Sequence, residues 1–180
     1  MKLLIASDLH GSAYYCRLLL EAFRREAADR LVLLGDLLYH GPRNPLPREY
    51  DTKATAAMLN ALAPQILCVR GNCDTEVDQM VLSFPVLAEH AILSIDGIDM
   101  FASHGHHWGP DNIPPLQPSG FLLCGHTHLP VRRALDPVTY LNPGSLSLPK
   151  EDTPHSYMTF ENGSFFWHEL ETGTQFQPLP

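Results

Sequence analysis

Basic residues are scarce in this 180-residue chain: 12 Lys and Arg stand against 20 Asp and Glu, a formal net charge of −8. No Lys/Arg-rich stripe occurs, which argues against a long nucleic acid as partner, since such binding rests on neutralising many phosphates. Long apolar runs are missing too. Leu3-Leu4-Ile5-Ala6 stops at Ser7-Asp8, too short for a signal-peptide core and far too short to cross a bilayer, so no membrane role is expected. The four cysteines, Cys16, Cys68, Cys73 and Cys124, form no Cys-x-x-Cys pair. Reduced, buried thiols fit that spacing and suit a cytoplasmic chain. There is no internal repeat, low-complexity segment or linker-like stretch. A composition 44% hydrophobic and 18% charged is that of an ordinary globule, and residues 1–180 are expected to form one domain.

The first half alternates strand and helix. Residues 2–7 read as a short buried strand. Ser12 can cap a helix running to about residue 28, where Leu18, Leu19, Ala22 and Phe23 keep helical spacing. A second apolar strand covers 31–34, a helix 52–63, and a third strand 66–69. That alternation predicts right-handed crossovers and a parallel sheet. The second half instead predicts short strands near 91–95, 99–103, 121–124, 131–134, 139–141, 157–161 and 165–169. Asp96-Gly97, Asp136-Pro137 and Asn162-Gly163 separate several of them, as hairpin turns do. A second, more antiparallel sheet packed face to face on the first is expected, with helices outside.

Five short blocks carry the chemistry: Asp8-Leu9-His10, Gly35-Asp36, Gly71-Asn72-Cys73-Asp74, His104-Gly105-His106 and Gly125-His126-Thr127-His128. Their donors are carboxylates, one amide and imidazoles, a set that suits Mn, Fe or Zn better than a structural Cys-rich zinc site. They are too many for one ion and about right for two sharing a carboxylate. Taken singly, each block admits a plain structural reading: Asp-x-His as a capped turn, Gly-Asp as a loop opening, Asn72 as a left-handed turn residue. Together they fall at five successive strand ends, the rim where α/β sheets bind ligands.

As an ordered series these blocks resemble the calcineurin-like metallophosphoesterase superfamily, and more closely its small YfcE-like phosphodiesterase branch. The likeness runs over about residues 2–149 and includes His40-Gly41-Pro42-Arg43-Asn44-Pro45 and Asn142-Pro143-Gly144-Ser145. It implies a four-layer α/β/β/α sandwich of two mixed sheets flanked by helices, with a binuclear metal site at the C-terminal strand ends. It further implies that Asp8, His10 and His128 hold one divalent ion, that Asn72, His104 and His126 hold a second, and that Asp36 bridges them. Manganese is the expected ion, with Fe, Zn or Ni as alternatives. The implied reaction is in-line attack on a small phosphodiester by a metal-bridging hydroxide, with Asp36 and Asn72 at the reacting centre.

One departure concerns the leaving group. Many superfamily members carry His after the Asn of the third block, steadied by the following Asp; this chain has Cys73, with Asp74 retained. A neutral thiol is a poor hydrogen-bond donor, so leaving groups that need little help, such as phenolates, are expected to be preferred. His106 and His40 are alternative proton donors, and Arg43 and His40 are candidate contacts to substrate phosphate. Alternatives to a diesterase are a phosphomonoesterase and a non-catalytic protein-interaction scaffold, for which the similar retromer subunit is the model. Tyr14, Tyr15 and open strand edges offer surfaces for a homo-oligomer.

Overall fold

The computed structural model describes residues 1–115 and 120–180. The chain begins β1 (Leu3–Ala6), α1 (Ala13–Arg25), β2 (Arg30–Leu33), α2 (Thr52–Asn60), β3 (Ile66–Cys68) and α3 (Glu76–Val81). It continues β4 (His90–Ile95), β5 (Ile98–Ser103), β6 (Phe121–Leu123), β7 (Pro130–Leu135) and β8 (Val138–Pro143), then β9 (Ser156–Glu161), β10 (Ser164–Glu169) and β11 (Gln175–Phe176). Two mixed sheets result. One has the order β11-β10-β9-β1-β2-β3, the other β4-β5-β6-β8-β7. β1, β2 and β3 run parallel, and so do β5, β6 and β8. The hairpins β4–β5, β7–β8 and β9–β10 close at the three turns marked by Asp96-Gly97, Asp136-Pro137 and Asn162-Gly163.

Strand alternation sorts the core into layers. Leu3 and Ile5 of β1, Val32 of β2, and Met158 and Phe160 of β9 meet Met100, Ala102, Leu123 and Leu141 of the other sheet. Their neighbours Leu4, Ala6, Leu31 and Leu33 face the opposite way, toward Tyr15, Leu19 and Phe23 of α1 and Leu59 of α2. The second sheet's outer face carries Phe101, Leu122, Val138 and Tyr140, packed by Trp108 and Leu129. The helical cover is unequal: α1 and α2 lie over the first sheet. α3 joins α2 there, since Asn60 Nδ2 donates to Val81 O at 2.9 Å. Among the described residues the second sheet is covered by loop segments alone.

Several boundaries differ from expectation for local reasons. α1 ends at Arg25 because Ala27 turns left-handed (φ 47°) to lead the chain back into β2. α2 ends at Asn60 and tightens into a 3-10 turn at Ala63–Gln65, where Pro64 lacks an amide hydrogen. Neither α3 nor β11 was expected. Thr75 and Asp78 form a capping box, the Asp78 carboxylate accepting the Thr75 N–H at 2.6 Å. Tyr15 is not free to support self-association. It is buried, stacked on His155 at 4.2 Å.

Candidate metal centre

All five blocks sit where their strands stop. Asp8, Asp36 and Asn72 follow β1, β2 and β3; His104 follows β5, and His126 and His128 follow β6. Parallel pairing places these ends on one edge, and the sandwich brings the two edges together. His126 N–H donates to Asp8 Oδ2 at 3.0 Å, and His104 Nδ1 lies 2.7 Å from Leu34 O. The sharp exits bend the backbone into a region that L-residues seldom adopt. Asp8 (φ 59°), His10 (51°), Asp36 (56°), His126 (68°) and His128 (64°) are all left-handed. Such residues cost on the order of 1–3 kcal/mol each and cluster at functional sites. Backbone bonds hold them: Asp8 N–H to Gly35 O at 3.2 Å, His10 N–H to Asp36 O at 2.9 Å.

Three imidazoles are oriented alike. His10 Nδ1 is 2.8 Å from Tyr39 O, His104 Nδ1 2.7 Å from Leu34 O, and His128 Nδ1 2.6 Å from Leu148 O. A carbonyl can only accept, so each Nδ1 carries a proton and each Nε2 faces inward, where a bound cation would take its lone pair. His10 Nε2 and His128 Nε2 are 3.3 Å apart, and His128 Nε2 is 3.2 Å from Asp8 Oδ1. Asp36 Oδ2 stands between the two groups, 3.8 Å from His10 Nε2 and 3.5 Å from His104 Nε2. Asn72 Oδ1 is 3.1 Å from His104 Nε2. His126 joins by its half-buried ring, 5.1 Å from that of His104.

These residues fit divalent cations. Asp8 is fully buried, yet its Oδ1 has no hydrogen-bond partner. An orphaned, buried carboxylate oxygen is costly unless a cation completes it. The donor atoms of Asp8, His10 and His128 form one group within metal-binding reach, and those of Asp8, Asp36 and His104 form another. Asp8 and Asp36 would hold the charge, with the neutral imidazoles and Asn72 filling the remaining positions. Electrostatics point the same way. Burial alone would raise the Asp8 carboxyl, but His10 and His128 outweigh it and hold it well below the usual range. Burial likewise works against His104, and Asp36 and Asp8 lift it to about 9, so the carboxylates hold on this ring a proton that a cation would displace.

The remaining sequence candidates are placed as follows. Cys73 is buried, and its sulfur lies within a donor group with His10 and Asp36, so a thiol does border the centre. Burial and the Asp36 carboxylate push that thiol up, keeping it protonated. Asp74 faces backbone: it accepts N–H bonds from Asp36 (2.8 Å), Leu37 (2.9 Å) and Gly71 (2.7 Å). His106 flanks His104, its rings 5.4 Å apart, and burial with nearby His104 lowers it to about 4. His40 stacks edge-on against Tyr39 and Tyr50. Arg43 lines a cleft of about 330 Å3 together with Asp36, Asn44, Asn72, Cys73, His126 and His128. His40 is outside that lining.

Sequence reasoning missed Lys150, which lines the same cleft; nothing in its neighbourhood of prolines and acids marks it. The Asn142-Pro143-Gly144-Ser145 segment marked by the resemblance supports Asp8, whose carbonyl accepts from Ser145 Oγ at 2.9 Å; Ser147, whose Oγ donates to the same carbonyl at 3.1 Å, was missed. Asn142 Nδ2 donates to Gly125 O at 2.7 Å, anchoring the His126 loop.

Known proteins share this arrangement. The family model for the calcineurin-like phosphoesterase superfamily domain matches residues 1–164. The phosphodiesterase YfcE of Escherichia coli K12 is 46% identical over 162 residues, covering 90% of this chain and 88% of its own. A solved structure of that Escherichia coli phosphoesterase superposes with a TM-score of 0.96 over 99% of this chain and 98% of its own, at 41% identity. Zinc-bound Vps29 from Entamoeba histolytica, at 22% identity, 98% and 96% coverage and a TM-score of 0.62, shares the fold. Strand order, ligand-bearing strand ends and this likeness agree: the chain belongs to the calcineurin-like phosphoesterase superfamily.

Proposed function

We propose that this protein is a metal-dependent phosphodiesterase acting on a small phosphodiester, working in the cytoplasm as a single domain over residues 1–180. The observation that carries the reading is the gathering of His10, His128, Asp36 and His104 donors with buried Asp8, whose Oδ1 has no hydrogen-bond partner, and of Asn72 and His126 beside His104, in a chain 46% identical to a phosphodiesterase. The proposed ligands are Asp8, His10 and His128 for one ion, and Asn72, His104 and His126 for the other. Asp36 is shared, which its place between His10 and His104 supports. Manganese is the proposed ion. Two divalent ions, when bound, supply Lewis acidity that lowers the pKa of water and neutralises charge building on the phosphorus oxygens.

The chain's own residues do the rest. Asn72 and His126 line the cleft, so the ion they would hold faces it. Asp74 is a positioning residue, since its carboxylate ties the Asp36 and Gly71 backbones together. Help for the leaving group is scarce: Cys73 stays a weakly donating thiol, and His106 is neutral near pH 7. Diesters with good leaving groups, such as phenolates, are therefore the preferred substrates. A monoesterase is the second reading, favoured by Lys150 as a second cation in the cleft that Arg43 lines. No helix among the described residues is long and apolar enough to cross a membrane.

The test is hydrolysis of matched aryl mono- and diesters by stripped protein with Mn, Fe, Zn or Ni restored singly. Diester turnover should dominate. Asp36→Asn should lower kcat by about a thousandfold or more, the range expected when a metal-bridging ligand is lost. Substantial residual turnover in that variant would show the bridge is misassigned.

A further inference from the structure

The cleft beside the metal ligands carries more positive charge than the reacting phosphoryl group calls for. It is lined by Asp36, Asn72, Cys73, His126 and His128 together with two exposed cations, Arg43 and Lys150. Asp36 is the one carboxylate in that lining. Neither Arg43 nor Lys150 forms a side-chain ion pair or hydrogen bond among the described residues, although the chain has a net charge of −8.

Both cations are mounted on segments that also build the centre. The Arg43 loop is pinned by Asn44 Nδ2, which donates to His40 O at 2.8 Å. Lys150 lies two residues past Leu148, whose carbonyl accepts from His128 Nδ1, and its own N–H reaches His128 O at 3.4 Å. The volume, about 330 Å3, is at the low end of the roughly 300–1,000 Å3 typical of whole small-ligand sites. It therefore has room for more than the phosphoryl group under attack.

A diester brings a single negative charge to the reacting phosphorus, and the buried ligand set lies next to it. Arg43 and Lys150 line the same cleft without being ligands and have no ion-pair partner among the described residues. Guanidinium is suited to two-pronged bonds with a phosphate, and ammonium serves as a point charge. Resting on the phosphodiesterase reading above, we infer that the substrate is a phosphodiester bearing a second anionic group, such as a terminal phosphate, held between Arg43 and Lys150.

The test compares a nucleoside p-nitrophenyl phosphodiester with its counterpart carrying an added phosphate on the far hydroxyl of the sugar. The leaving group is the same, so only the remote charge differs. The doubly charged ester should have the higher kcat/KM, on the order of tenfold and mostly through KM, a modest gain because exposed charge contacts are screened. That ratio should shrink toward one as salt is raised to about 0.5 M, and Lys150→Glu should invert it. Calorimetry on metal-loaded protein should show the matching bisphosphate product binding more tightly than the monophosphate. Equal kcat/KM for the two esters, or a ratio unmoved by Lys150→Glu, overturns the inference. So does a preference for simple p-nitrophenyl phosphate that is lost in Lys150→Glu, which would assign the cations to the scissile group. Hydrolysis of neither ester removes the diesterase reading itself, and the inference with it.

Discussion

Asp36 owes its position to the residues packed around it. Its backbone is held by Asp74, its Oδ1 accepts the Cys73 N–H at 2.8 Å, and its side chain rests against Gly71. A Cβ on Gly71 would collide with the backbone nitrogen and Oδ1 of Asp36. The obstacle is backbone and a ligand oxygen, so relief requires moving the ligand itself. Gly71→Ala is therefore expected to lower kcat by about a hundredfold, since small displacements at a reacting centre cost on that order. Metal content per chain, measured by elemental analysis, should fall with it; full metal loading and wild-type rate would count against this view. Cys73→His is expected to raise rates on alkyl diesters by about a hundredfold relative to aryl diesters, the low end of general acid catalysis. The check is the dependence of rate on leaving-group pKa, and an unchanged slope would remove the role assigned to this position.

At the scale of elements, caps and cross-links decide where the ligand loops begin. Ser12 closes the first block and starts α1: its Oγ accepts the Tyr15 N–H at 3.2 Å and donates to Arg48 O at 2.6 Å. The other end of α1 is tied down by Glu26, which accepts from Lys2 Nζ at 2.8 Å and from Tyr157 Oη at 2.7 Å, joining the helix to β1 and β9. Burial works to raise the Glu26 carboxyl, but Lys2 and Tyr157 outweigh it and hold it below its ordinary 4.5. A carboxyl depressed in the fold stabilises above its unfolded pKa and loses that contribution as pH falls through its folded value. Glu26→Gln should thus lower Tm near pH 7 and differ progressively less from wild type below pH 4.5. Thermal melts across pH test this, and a gap that widens on acidification would reverse the sign. The long elements and the three hairpins were legible because periodicity and Asp-Gly, Asp-Pro or Asn-Gly turns are local signals. α3 was not, because six residues with three exposed apolar side chains (Val77, Met80, Val81) carry no buried stripe.

At the scale of the molecule, the centre exists because two sheets are packed with their parallel strand ends on one side. Asp8 and Asp36 are buried there with few neutralising partners, so any ion that binds the folded state alone must stabilise it. Stabilisation of about 2.7 kcal/mol is expected at a hundredfold excess over Kd, or roughly 5–10 °C in Tm for a domain of this size. Stripped protein should melt lower by that amount and recover on adding Mn, while Asp8→Asn should lose the recovery. A melt indifferent to metal would mean that the buried carboxylates serve some other purpose.

The blocks themselves, their order and their places after apolar strands were determined by sequence alone, because strand periodicity and ligand chemistry are properties of neighbouring residues. So was the family likeness that they carry. Only the tertiary structure decided that Asp74 points into backbone, that Tyr15 is buried, that five ligand residues bend left-handed, and that Lys150 shares a cleft with Arg43. Each of these depends on segments far apart in the chain meeting at one edge, and no local pattern encodes such a meeting.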